Sequence, residues 1–193
     1  MNRGDYLKLE SINKVHEGKF ITRYDITYRT GNDNVKVYEM ISRNKNISEK
    51  DELKNNNVDA VVIIMHSKDG EKVLLNREFR MAADEWVYNF PAGLIETGEN
   101  IEQAARRELK EETGLDIVEI SDVIGESYSA IGFSNEKNEC VVGVAEGIIC
   151  DSDSEYEEIK AAWYTKDEVR KLLKENIFAA RSQAYCYLWS MKY

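Results

Sequence analysis

The 193-residue chain contains one proline, three cysteines and two histidines, and each scarcity removes a class of function. Cys140, Cys150 and Cys186 are odd in number and far apart, with no C-x-x-C and no histidine pair, so neither a disulfide framework nor a zinc site is expected. Buried reduced thiols are the expectation instead. His16 and His66 have no serine or carboxylate partner at a recognisable spacing, which argues against a nucleophilic triad. No apolar run approaches bilayer length, and the opening MNRGDYLKLE lacks the apolar segment of a secretory leader; a cytoplasmic protein without membrane contact is expected. Net charge is -10, and no Lys/Arg cluster is interleaved with aromatics, so nucleic acid is not an expected partner.

What is present is 42% hydrophobic residues, enough for a sizeable core, arranged as a mixed α/β chain. Phe20 to Thr30 and Val35 to Arg43 are β-rich and partly alternating around Gly31-Asn32-Asp33-Asn34, which predicts a hairpin. After the polar stretch Asn44 to Asn57 the apolar strand Val58 to Met65 begins. This places a domain boundary near residue 55: residues 1–55 as a small antiparallel β-sheet and residues 56–193 as the main domain. Further strands are predicted at Lys72 to Phe79, Trp86 to Phe90, Ile117 to Ser129, Glu139 to Ile149 and Ile159 to Tyr164. Helical spacing covers Lys166 to Asn176 and Ala179 to Met191, the latter with Ala184, Tyr187, Leu188 and Met191 on one side.

The stretch Gly93 to Leu115, GLIETGENIEQAARRELKEETGL, carries the chemistry. Asn100 to Thr113 is rich in good helix formers and closes at Gly114, as a helix with a C-terminal glycine should. At 100° per residue Ile101, Ala104, Ala105 and Leu109 form the apolar stripe, and Glu108 and Glu112 share its azimuth. Two inward carboxylates four residues apart repel and are costly to bury unless a cation compensates them. Oxygen ligands of this kind favour a hard divalent ion, Mg²⁺ or Mn²⁺. Arg107 stands one turn before Glu111 and can hold it by an ion pair.

Gly93, Glu99, Arg107, Glu108, Leu109, Glu111, Glu112, Gly114 and Leu115 match the Nudix box, G-x5-E-x7-R-E-U-x-E-E-x-G-U with U apolar, at every fixed position. Coincidence of the seven invariant letters is on the order of 10⁻⁸ per start position. The chain therefore resembles the Nudix hydrolase superfamily, which implies an α/β/α sandwich with a mixed sheet beside the small N-terminal β-sheet. Nearly its whole length is similar to the ADP-ribose pyrophosphatase branch. That resemblance implies metal ligation by the Ala92 carbonyl in Pro91-Ala92-Gly93, by Glu108 and Glu112, and by Glu157 as a possible extra ligand. It implies catalytic parts for Glu111 and Arg107, and a base at Glu155, in the acidic loop Ser154 to Ile159. Substrate contacts are implied for Phe20 and Tyr38, which would sandwich adenine, for the phosphate-facing Arg43 and Arg80, and for Glu136 in Gly132 to Glu136.

The resemblance implies Mg²⁺-dependent hydrolysis of ADP-ribose or a related nucleotide sugar to AMP and a sugar phosphate, by a homodimer that shares its N-terminal sheet. Two alternatives stay open. One is hydrolysis of another nucleoside diphosphate linked to a different group, a dinucleoside polyphosphate or a nucleoside triphosphate, since Ser129-Ala130-Ile131-Gly132 replaces a proline common in the branch. The other is a non-catalytic nucleotide sensor, which typically loses the box carboxylates present here. The plain readings of the substrate residues are hairpin core for Phe20 and Tyr38, surface charge for Arg43 and Arg80, and a solvated acidic loop for Asp151 to Glu158.

Overall fold

The computed structural model describes residues 6–150 and 157–191. Two compact units result: residues 1–59 with 126–138, and residues 60–125 with 139–193.

The first unit is built on a three-stranded antiparallel sheet, β1 (Leu7–Glu17), β2 (Thr22–Thr30) and β3 (Val35–Ser42), in that spatial order. The expected hairpin is β2–β3, turning at Gly31 to Asn34 with Asp33 at φ 60. Strand β1 was not expected, and its register explains why. Two shifts against β2, between Leu9 and Ser11 and between Lys14 and His16, break the two-residue alternation that marks a strand in sequence. On the central strand Thr22, Tyr24 and Ile26 are buried, and Tyr24 and Ile26 pack with Met40 and Ile47. The buried Tyr24 hydroxyl donates to the Asn44 carbonyl at 2.9 Å and accepts from the Ile47 amide at 3.2 Å, so this small core leaves no phenol unsatisfied. Residues 126–138 join the unit through backbone and side chain. The Ile41 amide donates to the Phe133 carbonyl at 2.8 Å, and Asp59 accepts from the Lys137 amide at 2.9 Å.

The second unit is a three-layer sandwich. Its sheet runs β10 (Ile159–Thr165), β5 (Lys72–Arg80), β4 (Ala60–His66), β9 (Lys137–Glu146), β8 (Asp116–Tyr128), with β6 (Glu85–Asn89) paired to β5 and β7 (Ala92–Leu94) paired to β4. Strand β4 shows the physical basis of the layers, because its apolar run is buried on both faces. Val61, Ile63 and Met65 pack with Ala104, Ala105 and Leu109 of α1 (Ile101–Thr113). Val62 and Ile64 point the other way, into the layer that holds Val169 of α2 (Lys166–Glu175) and Cys186 of α3 (Ala180–Met191). Each such fully buried branched side chain contributes about 1.5–3 kcal/mol of transfer energy. This is the sandwich implied by the resemblance.

Two expectations need correction. On α3 the face Ala184, Tyr187, Leu188, Met191 is the exposed one, and Ser182, Cys186 and Ser190 are buried. The reason is hydrogen bonding. Ser182 Oγ accepts from the Phe90 amide at 3.2 Å and donates to Asn89 at 2.7 Å, so small polar residues make the close contact that an apolar count overlooks. Cys140 and Cys186 are buried free thiols, but Cys150 is exposed, just after the sheet ends. Among the described residues no helix is long and apolar enough to cross a membrane.

Candidate active site

Helix α1 is held at both ends. Asn100 accepts from the Gln103 amide at 2.9 Å while Gln103 accepts from the Asn100 amide at 2.9 Å, and Gly114 closes the helix in the left-handed region at φ 76. A β-carbon at Gly114 would stand 2.2 Å from the Cys150 sulfur, so both conformation and space require glycine there. With the ends fixed, Glu108 and Glu112 turn toward the sheet; Glu112 is 8% exposed.

Arg107 organises the loop before the helix. Its Nε and Nη2 donate to the two oxygens of Glu99 at 2.8 Å each, and Nη2 also donates to the Leu94 carbonyl at 2.9 Å. Its Nη1 donates to Glu108 at 2.8 Å and to Glu111 at 3.3 Å. The expected Arg107–Glu111 pair is therefore the longest of several contacts. The bidentate grip, with the Glu96 amide bonding the same carboxylate, holds Glu99 down at about 2. The surrounding carboxylates raise Arg107 above its already high value.

Strand β7 brings Gly93 beneath Glu108. A β-carbon built on Gly93 would lie 1.9 Å from the Glu108 carboxyl carbon, so the carboxylate occupies space that only glycine leaves. The neighbouring Ala92 pairs with Val62, which places the Pro91-Ala92-Gly93 backbone on the sheet beside α1.

From β5 come two residues that sequence reasoning did not single out. Asn76 Nδ2 donates to Glu112 Oε2 at 2.7 Å, and Glu78, 9% exposed, accepts from Asn89 at 3.0 Å. Burial, followed by repulsion from Glu108 and Glu78, pushes Glu112 up to about 8. Burial also raises Glu78 and Glu108, against the opposing pull of Arg80 on the first and Arg107 on the second. The exposed Glu157 adds to the repulsion at all three. Arg80, with its guanidinium largely exposed, lies 3.6 Å from Glu78. Glu155 falls outside the described residues.

The donor set suits a hard cation of low demand. Glu108 Oε2 and Glu112 Oε1 have no protein hydrogen-bond donor among the described residues, and the buried Asn76 Oδ1 has no partner either. Among the described residues, no three acidic, histidine or cysteine side chains form a closed metal cage. Mg²⁺ does not require one, because it keeps several waters and takes one or two carboxylates.

In the first unit, Arg43 donates to Glu136 at 2.6 Å, so two expected substrate residues are paired with each other. The Tyr38 hydroxyl donates to the Gly132 carbonyl, and the ring lines a cavity of about 540 Å³ with Tyr28, Met40 and Tyr128. Phe20 is 69% exposed in the β1–β2 turn, with the Lys19 ammonium 4.9 Å from its ring centre. Tyr38 pairs with Ile26 and Ser42 with Thr22, so Phe20 precedes a strand start about 14 Å along the sheet from Tyr38. One chain does not bring these two aromatics together.

Residues 56–186 match the NUDIX domain family. The chain belongs to the Nudix family. It is 40% identical over 88 residues to the ADP-ribose pyrophosphatase of Saccharomyces cerevisiae, covering 44% of this chain and 36% of that one. It is 33% identical over 103 residues to the ADP-sugar pyrophosphatase of Mus musculus (52% and 44%), and 35% identical over 121 residues to Nudix hydrolase 19, chloroplastic, of Arabidopsis thaliana (60% and 26%). The chain thus spans less than half the length of each of these relatives. A solved structure, "Crystal structure of ADP compounds hydrolase", shares the fold at TM-score 0.71 and 19% identity, over 95% of this chain and 92% of that one.

Within this Nudix fold, Asn76 and Glu78 did leave a signal. They alternate with Arg77 on β5 and so share a face with Arg80, which the sequence reading had placed at the site. What the sequence does not contain is the neighbour that face meets.

Proposed function

We propose that the chain hydrolyses the diphosphate bond of ADP-ribose or a related nucleotide sugar, in a Mg²⁺-dependent reaction giving AMP and a sugar phosphate. The observation that carries the reading is the pair Glu108, packed against Gly93, and the buried Glu112 one helical turn on, each with a carboxylate oxygen left without a protein donor among the described residues. The nucleotide part rests on the relatives, two of which are named for ADP-ribose and ADP-sugar pyrophosphatase activity.

Glu108, Glu112 and the Ala92 carbonyl would hold the metal, with Glu157 as an added ligand. A divalent cation held there supplies neutralisation of diphosphate charge and acidification of water. Arg107 fixes Glu108 and Glu99 rather than touching substrate, and its weak hold on the 61% exposed Glu111 leaves that carboxylate available at the site edge. The free face of the Arg80 guanidinium fits a phosphate oxygen pair. Glu155 is the proposed base. Phe20, Tyr38, Arg43 and Glu136 are proposed for the nucleotide side, in a homodimer. The separation of Phe20 from Tyr38 supports that assembly, because a two-sided clamp then needs one ring from each chain. The domain roles follow: residues 1–55 for dimerisation and substrate contact, and residues 56–193 for hydrolysis, in a cytoplasmic enzyme.

The test is a hydrolysis panel of ADP-ribose, other nucleotide sugars, dinucleoside polyphosphates and nucleoside triphosphates with Mg²⁺, Mn²⁺ or chelator, products separated by chromatography. AMP and ribose 5-phosphate from ADP-ribose, abolished by chelator, is the expected result. Turnover confined to triphosphates or dinucleoside polyphosphates would move the chain to the alternative substrate class.

A further inference from the structure

On the face of β5 opposite Asn76 and Glu78, a second charged site has no assigned role. Arg77 pairs directly across the ladder with Lys160 of β10, so two cations stand opposite each other on neighbouring strands. Like charges in that position are destabilising. Neither has a carboxylate within ion-pair distance among the described residues. Both lean on one ring: the Arg77 guanidinium carbon is 4.6 Å and the Lys160 ammonium 5.5 Å from the centre of Trp86. A cation–π contact offsets part of the desolvation of half-buried Arg77 and none of the mutual repulsion.

Arg77 and Trp86 line a pocket of about 600 Å³ between the β5–β6 strands and the end of α2, and Lys160 stands against the same Trp86 ring. Lys174 adds a second cation to its wall, and Asp84, Glu85 and Glu175 add three exposed carboxylates. Two cations and three carboxylates line one cavity, with Lys160 on the strand beside Arg77, yet among the described residues none pairs with another. The volume is that of a small-metabolite site.

We infer that this pocket binds a phosphorylated sugar, its phosphate between Arg77, Lys160 and Lys174 and its hydroxyls donating to Asp84, Glu85 and Glu175. A phosphate between Arg77 and Lys160 converts their repulsion into two charge-assisted hydrogen bonds and leaves the rim carboxylates as acceptors for neutral hydroxyls. A simple anion would gain nothing from those carboxylates, and a cation would meet the guanidinium first. The inference does not rest on the hydrolytic reading, although a sugar phosphate is what that reaction would release.

The experiment is calorimetric titration of the full-length protein in chelator with ribose 5-phosphate as probe, beside ribose and inorganic phosphate, with tryptophan fluorescence as a second signal. Ribose 5-phosphate should bind more tightly than either fragment, and Arg77→Met, Lys160→Met and the surface change Lys174→Gln should each weaken it, by about tenfold for the first two. Glu112→Gln should keep the affinity within about twofold, since that residue lies on the other face of the sheet. Equal affinity in wild type and all three cation variants, no heat at millimolar probe, or loss of binding in Glu112→Gln overturns the site. Inorganic phosphate binding as tightly as the sugar phosphate overturns the role given to the carboxylates.

Discussion

The carboxylate of Glu108 fills the space that a side chain on Gly93 would need, the built β-carbon falling 1.9 Å from the Glu108 carboxyl carbon. A strand glycine and a helix glutamate are thereby made one element of the site. Gly93→Ala should displace Glu108 and weaken divalent-cation affinity by about 10- to 100-fold, the range for disturbed ligand support, with a melting temperature within a few degrees of wild type. Mn²⁺ binding followed by electron paramagnetic resonance measures this directly. Unchanged affinity would show that Glu108 is not a ligand.

Glu112→Gln should lower turnover at least about a hundredfold, roughly 2.7 kcal/mol of barrier, in a folded protein. A pH signature accompanies it. In metal-free protein the folded-state Glu112 titrates at about 8, above the unfolded value near 4.5, so its contribution to stability is complete below 4.5 and is lost as pH rises through 8. The melting temperature in chelator should therefore fall between pH 5 and 8 in wild type more steeply than in Glu112→Gln. Cation binding at pH 7 should release a proton, visible as a buffer-dependent binding enthalpy.

Arg107→Lys should lower the melting temperature by about 3–10 °C, because an ammonium cannot reproduce the fork that joins Glu99, Glu108 and Leu94. The Glu99 carboxyl is depressed to about 2, so this pairing stabilises the fold fully above about 4.5 and is lost as pH falls through 2. Acid unfolding of Arg107→Lys should accordingly depend less on pH in that window. Identical acid titrations would assign the loop geometry to other contacts.

The acidic loop is tested by two variants. Glu155→Gln should reduce kcat by about a hundredfold or more if it is the base, whereas Glu157→Gln should chiefly raise the Mg²⁺ concentration needed for half activity. Full activity of both at saturating Mg²⁺ would return the loop to a solvated charge run.

Sedimentation should give a dimer, and deletion of residues 1–50 an unstable or monomeric protein with weak nucleotide binding. Tyr38→Ala should mainly raise KM. If each clamp takes Phe20 from one chain and Tyr38 from the other, mixed dimers of Phe20→Ala and Tyr38→Ala hold one clamp missing both rings and one intact. Mixing the variants should then restore part of the low-KM activity, and a monomer with undiminished ADP-ribose turnover excludes the arrangement.

The sequence by itself determined the features that depend on spacing along one chain. The helix ending at Thr113 and the inward azimuth of Glu108 and Glu112 follow from 3.6-residue periodicity, its stop from Gly114, and β4 from a continuous apolar run. The partner of Arg107 was only partly legible, because the helical spacing pointed to Glu111 while the guanidinium grips Glu99 across the loop. Tertiary structure alone decided what meets across elements. Asn76 and Glu78 become site residues only because β5 lies beside α1, and Gly93 matters only because β7 passes under Glu108. The bulged β1 and the serine-lined face of α3 were hidden for the same reason. Their inward sides are chosen by a partner strand's register and by hydrogen bonds to Phe90 and Asn89, neither of which leaves a period in the sequence.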